Sequence, residues 1–145
     1  MAKDPRTVLR EKGIKVTPRR LAVAELFRPL RGSMTPEMVW KRLRPKLGTL
    51  GLPTVYRILE DLVQVGILTR IELSDRALRY AACRAEPGVH HHHFVCVRCG
   101  AVSEVEGCAF ERQVRGVERR TGFRVTGHRL HVEGLCSSCR ARRRK

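Results

Sequence analysis

Two cysteine pairs, Cys96-x-x-Cys99 and Cys136-x-x-Cys139, constrain this chain more than any other feature. Each i, i+3 pair puts two sulfurs on one ion at about 2.3 Å, and the two pairs together complete a tetrahedral set. The 36 residues between Cys99 and Cys136 exceed the gap of a simple zinc ribbon, so a small strand and helix unit is required between them. Four thiolates close the coordination sphere to water, so the expected role is a structural Zn2+ site. A redox pair or buried free thiols are the alternatives. All six cysteines and all six histidines fall between Cys83 and Cys139, and residues 1–82 contain none of this chemistry. No basic-then-apolar opening and no apolar run of membrane-spanning length occur. The expectation is a cytoplasmic protein without a membrane partner, whose cysteines serve metal rather than disulfides.

A length of 145 residues suits one domain or two small ones, and 30 Lys and Arg against 14 Asp and Glu give a formal charge of +16. So large an excess favours a polyanionic partner, nucleic acid first. Residues 1–47 hold 13 basic and 4 acidic residues, which concentrates the excess at the N-terminus. Zn2+ on four thiolates would add about −2 to the second half, leaving the first half the more basic.

The first half has helical periods. Val23, Leu26, Phe27 and Leu30 recur at i, i+3, i+4, i+7 after Thr17-Pro18, an N-cap followed by proline. Thr35-Pro36 repeats the signal ahead of Val39, Trp40, Leu43 and Leu47, and a third helix follows Pro53-Thr54 with Val55, Ile58, Leu59, Leu62 and Val63 inward. Gly66 ends it, and 67–72 and 77–82 form a short β-hairpin. Three helices and a two-stranded wing make a winged helix-turn-helix, whose third helix enters the major groove. Its exposed start presents Thr54, Tyr56 and Arg57 to bases and phosphates, and Lys15, Arg19 and Arg20 flank the first helix as phosphate contacts. The alternative is a three-helix bundle with a solvated basic face. Arg84-Ala-Glu-Pro-Gly-Val89 has the punctuation of a linker, which divides the chain into 1–83, a hinge at 84–89, and 90–145.

His90-His91-His92-His93 leads through Phe94-Val95 into Cys96. A strand alternates its side chains, so His91 and His93 share one face and His90 and His92 the other, and one run can serve two metal sites. A solvated histidine cluster is the plain alternative, as packing is for Cys83 and Cys108. Glu111, on a helix expected over 108–121, and His128 and His131 near a closing strand are further candidate ligands.

Taken together, these residues resemble the ferric uptake regulator (Fur) superfamily of metal-sensing bacterial repressors. The resemblance rests on Gly13-Ile-Lys-Val-Thr17-Pro-Arg-Arg20, Thr54-Val-Tyr-Arg57-Ile-Leu, Val65-Gly66-Ile67, His91-His-His93-Phe-Val-Cys96-Val-Arg-Cys99-Gly100, Thr121-Gly122-Phe123 and Gly134-Leu-Cys136-Ser-Ser-Cys139. It implies an α+β architecture, with an N-terminal winged helix-turn-helix followed by a small C-terminal α/β dimerisation domain with a four-cysteine zinc site. It also implies a homodimer on double-stranded operator DNA when a sensory hinge metal is bound.

By the same resemblance the structural zinc falls on Cys96, Cys99, Cys136 and Cys139. The sensory hinge site falls on Cys83, His91 and His93, and a third site on His90, His92, Glu111 and His128. The fourth hinge ligand is open: Thr69 stands at the usual position, with Glu72 and Asp75 nearby as substitutes. The iron-sensing pattern fits less well, because its histidine and acidic positions correspond to Ser33 and Tyr80. A thiolate with two imidazoles suits Zn2+, whereas iron and manganese sensors prefer N and O donors. The expectation is therefore a zinc-sensing repressor controlling metal uptake, with Fe2+ or Mn2+ sensing, or peroxide sensing, as alternatives within the superfamily. A constitutive zinc-ribbon binder would leave the histidine run without a purpose. Nothing suggests an enzyme or a small-molecule substrate other than metal ions, and the tail Arg140-Ala-Arg-Arg-Arg-Lys145 reads as a basic arm.

Overall fold

Thr17 and Thr35 each cap a helix that starts with proline, their hydroxyls accepting from the backbone N–H of Arg20 and Met38 at 3.3 Å. These helices are α2 (Pro18–Phe27) and α3 (Pro36–Leu47) in a computed structural model that describes residues 4–74, 77–85, 90–107, 110–128 and 130–142. An earlier helix, α1 (Pro5–Glu11), is capped by Asp4 and buries Val8 and Leu9. Two apolar residues are too few to register as a helical period, so the sequence pattern passes over it. The third expected helix is α4 (Leu52–Gln64), which starts ahead of Pro53 because the first turn does not need that N–H. Gly66 follows it with φ near 75°, where a side chain would be strained.

The wing contains three strands rather than two. β2 (Leu68–Glu72) and β3 (Leu78–Ala82) pair antiparallel from Leu68↔Ala82 to Glu72↔Leu78. β1 (Ser33–Met34) adds to the other edge of β3, Ser33 opposite Ala81. The second sheet has the order β5-β4-β6, built from β4 (His91–Cys96), β5 (Val102–Glu106) and β6 (His131–Gly134). β4 pairs antiparallel with β5 but parallel with β6. A parallel neighbour requires a crossover, and α5 (Glu111–Thr121) supplies it, which accounts for the wide spacing of the two cysteine pairs. α6 (Ser137–Ala141) closes the described chain. Cys108, Asp75, residues 86–89 of the expected hinge and 143–145 of the tail lie outside the described residues.

The main core lies in the first half, where Phe27, Val39, Val55, Leu59 and Leu62 from α2, α3 and α4 are fully buried with Leu9. Arg20 on α2 ties α4 in place through Asp61, with Nη2 2.6 Å and Nε 3.0 Å from the same carboxylate oxygen. A smaller cluster joins the sheets: Ile71, Leu73 and Ala81 of the wing pack with Val95 and against Val102. Polar bonds reinforce that junction. Ser33 N–H donates to Gly100 C=O at 2.9 Å, Val102 N–H to Arg31 C=O at 3.0 Å, and Ser74 N–H and O–H both donate to Glu133 at 2.5 and 2.7 Å. No helix among the described residues is long and apolar enough to cross a membrane.

Candidate metal centres and nucleic-acid interface

Cys96 ends β4, Cys99 follows in the adjoining turn, and Cys136 and Cys139 stand at the start of and within α6. Their four Sγ atoms lie within 4.8 Å of one another, and Cys99 and Cys136 are 3.7 Å apart. Sulfurs 2.3 Å from a tetrahedral ion are about 3.8 Å apart, so the spacing fits Zn2+ without rearrangement. Backbone N–H groups of Cys136 and Cys99 hold the Cys96 thiol down to about 6, while burial and the neighbouring sulfurs push Cys139 up to about 12. One thiolate forms readily and further negative charge is opposed, which is the electrostatic condition a divalent cation relieves. Gly100 N–H closes the turn on Cys96 C=O at 2.8 Å, and Gly100 C=O receives Ser33, so this loop abuts the wing.

The alternation of the histidine run distributes its members as strand geometry requires. His90 Nε2 lies 3.2 Å from His92 Nε2 and 3.0 Å from His128 Nε2. Nitrogens on a tetrahedral Zn2+ are about 3.3 Å apart, so this trio fits a cation too. Parallel register explains it: His93 faces His131, so three residues earlier His90 comes level with His128. Glu111 is not brought to the trio. It is exposed in the first turn of α5, 3.8 Å from Arg115.

On the other face of β4, Cys83 Sγ lies 3.5 Å from His91 Nε2, and Glu104 completes a group whose ligand atoms are within 4.8 Å. A sulfur and a nitrogen sharing tetrahedral Zn2+ are about 3.6 Å apart. Glu104 on β5 sits opposite His93 and diagonal to His91, so antiparallel pairing turns all three to one side. Sequence reasoning did not find Glu104; its alternation in Val102–Glu106 is visible, but the register that aims it at His91 is not. His93 adjoins this group, its ring 4.9 Å from that of His91 and its Nε2 3.7 Å from Glu104. That Nε2 is buried and has no hydrogen-bond partner among the described residues. Burial lowers the His93 imidazole to about 4, so at neutral pH it is in the form that binds cations. Burial, then the Glu104 carboxylate, raises the Cys83 thiol.

Glu72 is not near this group. It pairs with Arg70 at the far end of the hairpin, four residues from the Leu68↔Ala82 rung beside Cys83, about 13 Å along the strand. Ser33 and Tyr80, at the iron-type ligand positions, are both engaged elsewhere: Ser33 O–H donates to Gly100 C=O at 3.2 Å and Tyr80 O–H to Glu60.

Along α4, Tyr56 and Arg57 are exposed and Thr54 is half-buried, while Val55 and Ile58 on either side of the exposed pair face the core. Tyr56 O–H donates to Glu37 of α3 at 2.9 Å, a bond that raises the phenol's pKa and fixes the ring against the helix. Lys15 and Arg19 are exposed ahead of and at the start of α2, Arg19 donating to Thr49 at 2.9 Å. The face therefore combines an exposed guanidinium and an aromatic ring on one rigid helix, flanked by cations.

A sequence profile described as the Ferric uptake regulator family matches residues 11–133. The chain is 36% identical to the ferric uptake regulation protein of Bacillus subtilis over 133 residues, covering 90% of this chain and 89% of that one. It is 33% identical to the protein of the same description from Neisseria gonorrhoeae over 135 residues, with 92% of each chain covered. Among solved structures, a zinc uptake regulator complexed with zinc and DNA superposes with a TM-score of 0.82 at 26% identity, covering 97% of this chain and 93% of that one. A ferric uptake regulator from Francisella tularensis with iron gives 0.64 at 31% identity, covering 88% and 96%.

Proposed function

This chain belongs to the ferric uptake regulator family, and on that premise we propose that it is a zinc-responsive repressor of metal uptake that binds operator DNA as a homodimer. That it is a metal-dependent DNA-binding regulator and not an enzyme follows from the family itself. The finer reading rests on one observation, the sulfur of Cys83 within bonding reach of the cation that His91 and Glu104 would share. A thiolate beside an imidazole is a softer donor set than iron and manganese sensors use. The fold match to a regulator complexed with zinc and DNA points the same way. Glu104 favours the second reading, iron or manganese sensing, because it adds a hard oxygen donor, and curated relatives such as those from Bacillus subtilis and Neisseria gonorrhoeae are ferric regulators.

In this reading Cys96, Cys99, Cys136 and Cys139 hold a structural Zn2+, and His90, His92 and His128 hold a third ion, with Glu111 at the start of α5 as its expected fourth donor. Residues 1–83 form the DNA-binding unit and 90–145 the dimerisation unit. Thr54, Tyr56 and Arg57 read bases and phosphates, and Lys15 and Arg19 anchor the flanks. The hinge donors come from different layers: Cys83 continues the wing strand β3, while His91 and Glu104 belong to the second sheet. A bound cation supplies charge that these donors share, so its affinity is greatest when the two sheets hold this relative position. DNA that selects the same arrangement tightens metal binding reciprocally.

Cobalt substitution tests the ligand assignment. Co2+ added to protein whose four-cysteine site retains zinc should show a thiolate-to-cobalt charge-transfer band that Cys83→Ala removes. A band of equal intensity in Cys83→Ala protein would exclude Cys83 as a ligand.

A further inference from the structure

Neither apolar cluster includes a residue of α5, and none of its residues is buried. At about 100° per residue its side chains separate into two sectors. Arg115, Arg119, Arg112 and Arg120 occupy a continuous arc of about 140°, interrupted only by Gly116, and all four are exposed. Val114 and Val117 lie on the opposite side, where exposed Phe110 at the helix start extends the apolar edge. The two glutamates of the helix fall outside the arginine arc. Glu118 accepts the N–H of Val125 at 2.8 Å, and Glu111 lies 3.8 Å from Arg115 with both side chains largely in solvent.

An ordinary solvated helix face intersperses acids and bases at i, i+4. Here four like charges crowd one side, an arrangement that repels itself unless an anion faces it. The choice of cation is also selective: between Lys46 and Lys145 every basic residue is arginine. The planar guanidinium fork matches phosphate oxygens in pairs, which lysine does not. The apolar edge suits a second copy of this chain, and covering it would leave the arginine arc turned away to solvent. Arg124, just beyond the helix, and Arg140 and Arg142 at the C-terminal end are exposed and add to the same sign.

We propose that the arginine arc of α5 is a second DNA-contacting surface, separate from α4, that binds the phosphate backbone of duplex DNA without reading sequence. It would hold the regulator on DNA outside the operator, or grip a flanking or second segment of duplex. The surface depends on charge and not on the operator reading, so the two fail independently.

The experiment compares full-length zinc-loaded wild type with R112Q/R115Q/R119Q/R120Q and, separately, R57A, measuring binding to operator and to non-operator duplex across salt. Four phosphate contacts contribute about 3.6 units to the slope of log K against log [salt]. The quadruple variant should lose slope of that order per protomer and bind non-operator duplex at least tenfold more weakly near 0.1 M salt, while its operator preference is kept or increased. R57A should do the reverse, losing operator preference with a slope change of about 1. Replacing the four residues with lysine should restore most of the slope and less of the affinity. For a readout independent of variant folding, phenylglyoxal modification of wild-type protein should show Arg112, Arg115, Arg119 and Arg120 protected by non-operator duplex. An unchanged slope, or unprotected arginines, would overturn the proposal. So would an effect confined to single-stranded RNA or to anionic vesicles. A wild type without operator preference but with an α5-dependent slope would instead count against the operator reading alone.

Discussion

Cys136→Ser protein should lose its tightly held zinc and, with it, the ordered second half of the chain, while α2, α3 and α4 stay folded. The expectation follows from where the apolar core lies. Beyond residue 90 the buried described residues are Val95, Cys96 and Cys139 with His92 and His93, and two of these five belong to the four-cysteine cluster itself. α5 buries nothing. So few buried side chains in the protomer contribute little against the conformational entropy of ordering this half of the chain. Zn2+ on four thiolates has an apparent binding free energy of roughly 10–16 kcal/mol, and where the apolar cluster is as small as that around Val95 most of it is folding free energy. Removing one ligand therefore takes away most of the stability of this half. Hydrogen exchange read by mass spectrometry checks it: amides of β4, β5 and β6 should exchange freely in Cys136→Ser protein while those of α2 and α4 remain protected. Protection of β4 in zinc-free protein would show that the sheet folds on its own apolar contacts.

The second large effect is at the hinge. In Cys83→Ala protein, metal should no longer tighten operator binding, and affinity in saturating zinc should fall to that of metal-stripped wild type, a loss of about 5–150-fold. The magnitude is bounded by the bonds that already join the sheets without a cation. Ser33 with Gly100, Val102 with the carbonyl of Arg31, and the two hydrogen bonds from Ser74 to Glu133 all persist when Cys83 is replaced. Metal-free protein thus still samples the competent arrangement, and the cation biases an existing equilibrium. Arg84 N–H donates to Glu104 at 2.8 Å, so the carboxylate that would join the metal is already positioned by the chain that leaves the wing. Fluorescence anisotropy with a labelled palindromic operator at physiological salt measures the effect; an undiminished response to zinc would remove Cys83 from the sensing device.

What could be read without coordinates depended on whether a feature is local. The helix starts at Thr17-Pro18 and Thr35-Pro36 are cap chemistry within four residues, and both helices begin there. The alternation of His90 to His93 is a property of any strand, and it separates Cys83's neighbour His91 from the trio of His90, His92 and His128. The strand and helix unit demanded by the cysteine spacing is β5 with α5 and β6. What escaped was set by pairing between distant segments. Glu104 meets Cys83 only because β5 takes one particular register on β4. Glu72 is only three residues from Thr69 in sequence, yet it stands about 13 Å along the strand from the rung beside Cys83, because a hairpin strand is extended. β1 is two residues long and exists only because β3 offers it an edge.

The proposed regulation stands on control of DNA binding by zinc at the Cys83, His91 and Glu104 site. The direct measurement is operator affinity of protein treated with a mild chelator, retaining one zinc per chain, and titrated separately with Zn2+, Fe2+ and Mn2+ under anaerobic conditions. Zinc at low free concentration should restore tight binding, and iron and manganese should require far more. Equal or greater restoration by iron or manganese would contradict the claim, and would make Glu104 rather than Cys83 the residue that selects the metal.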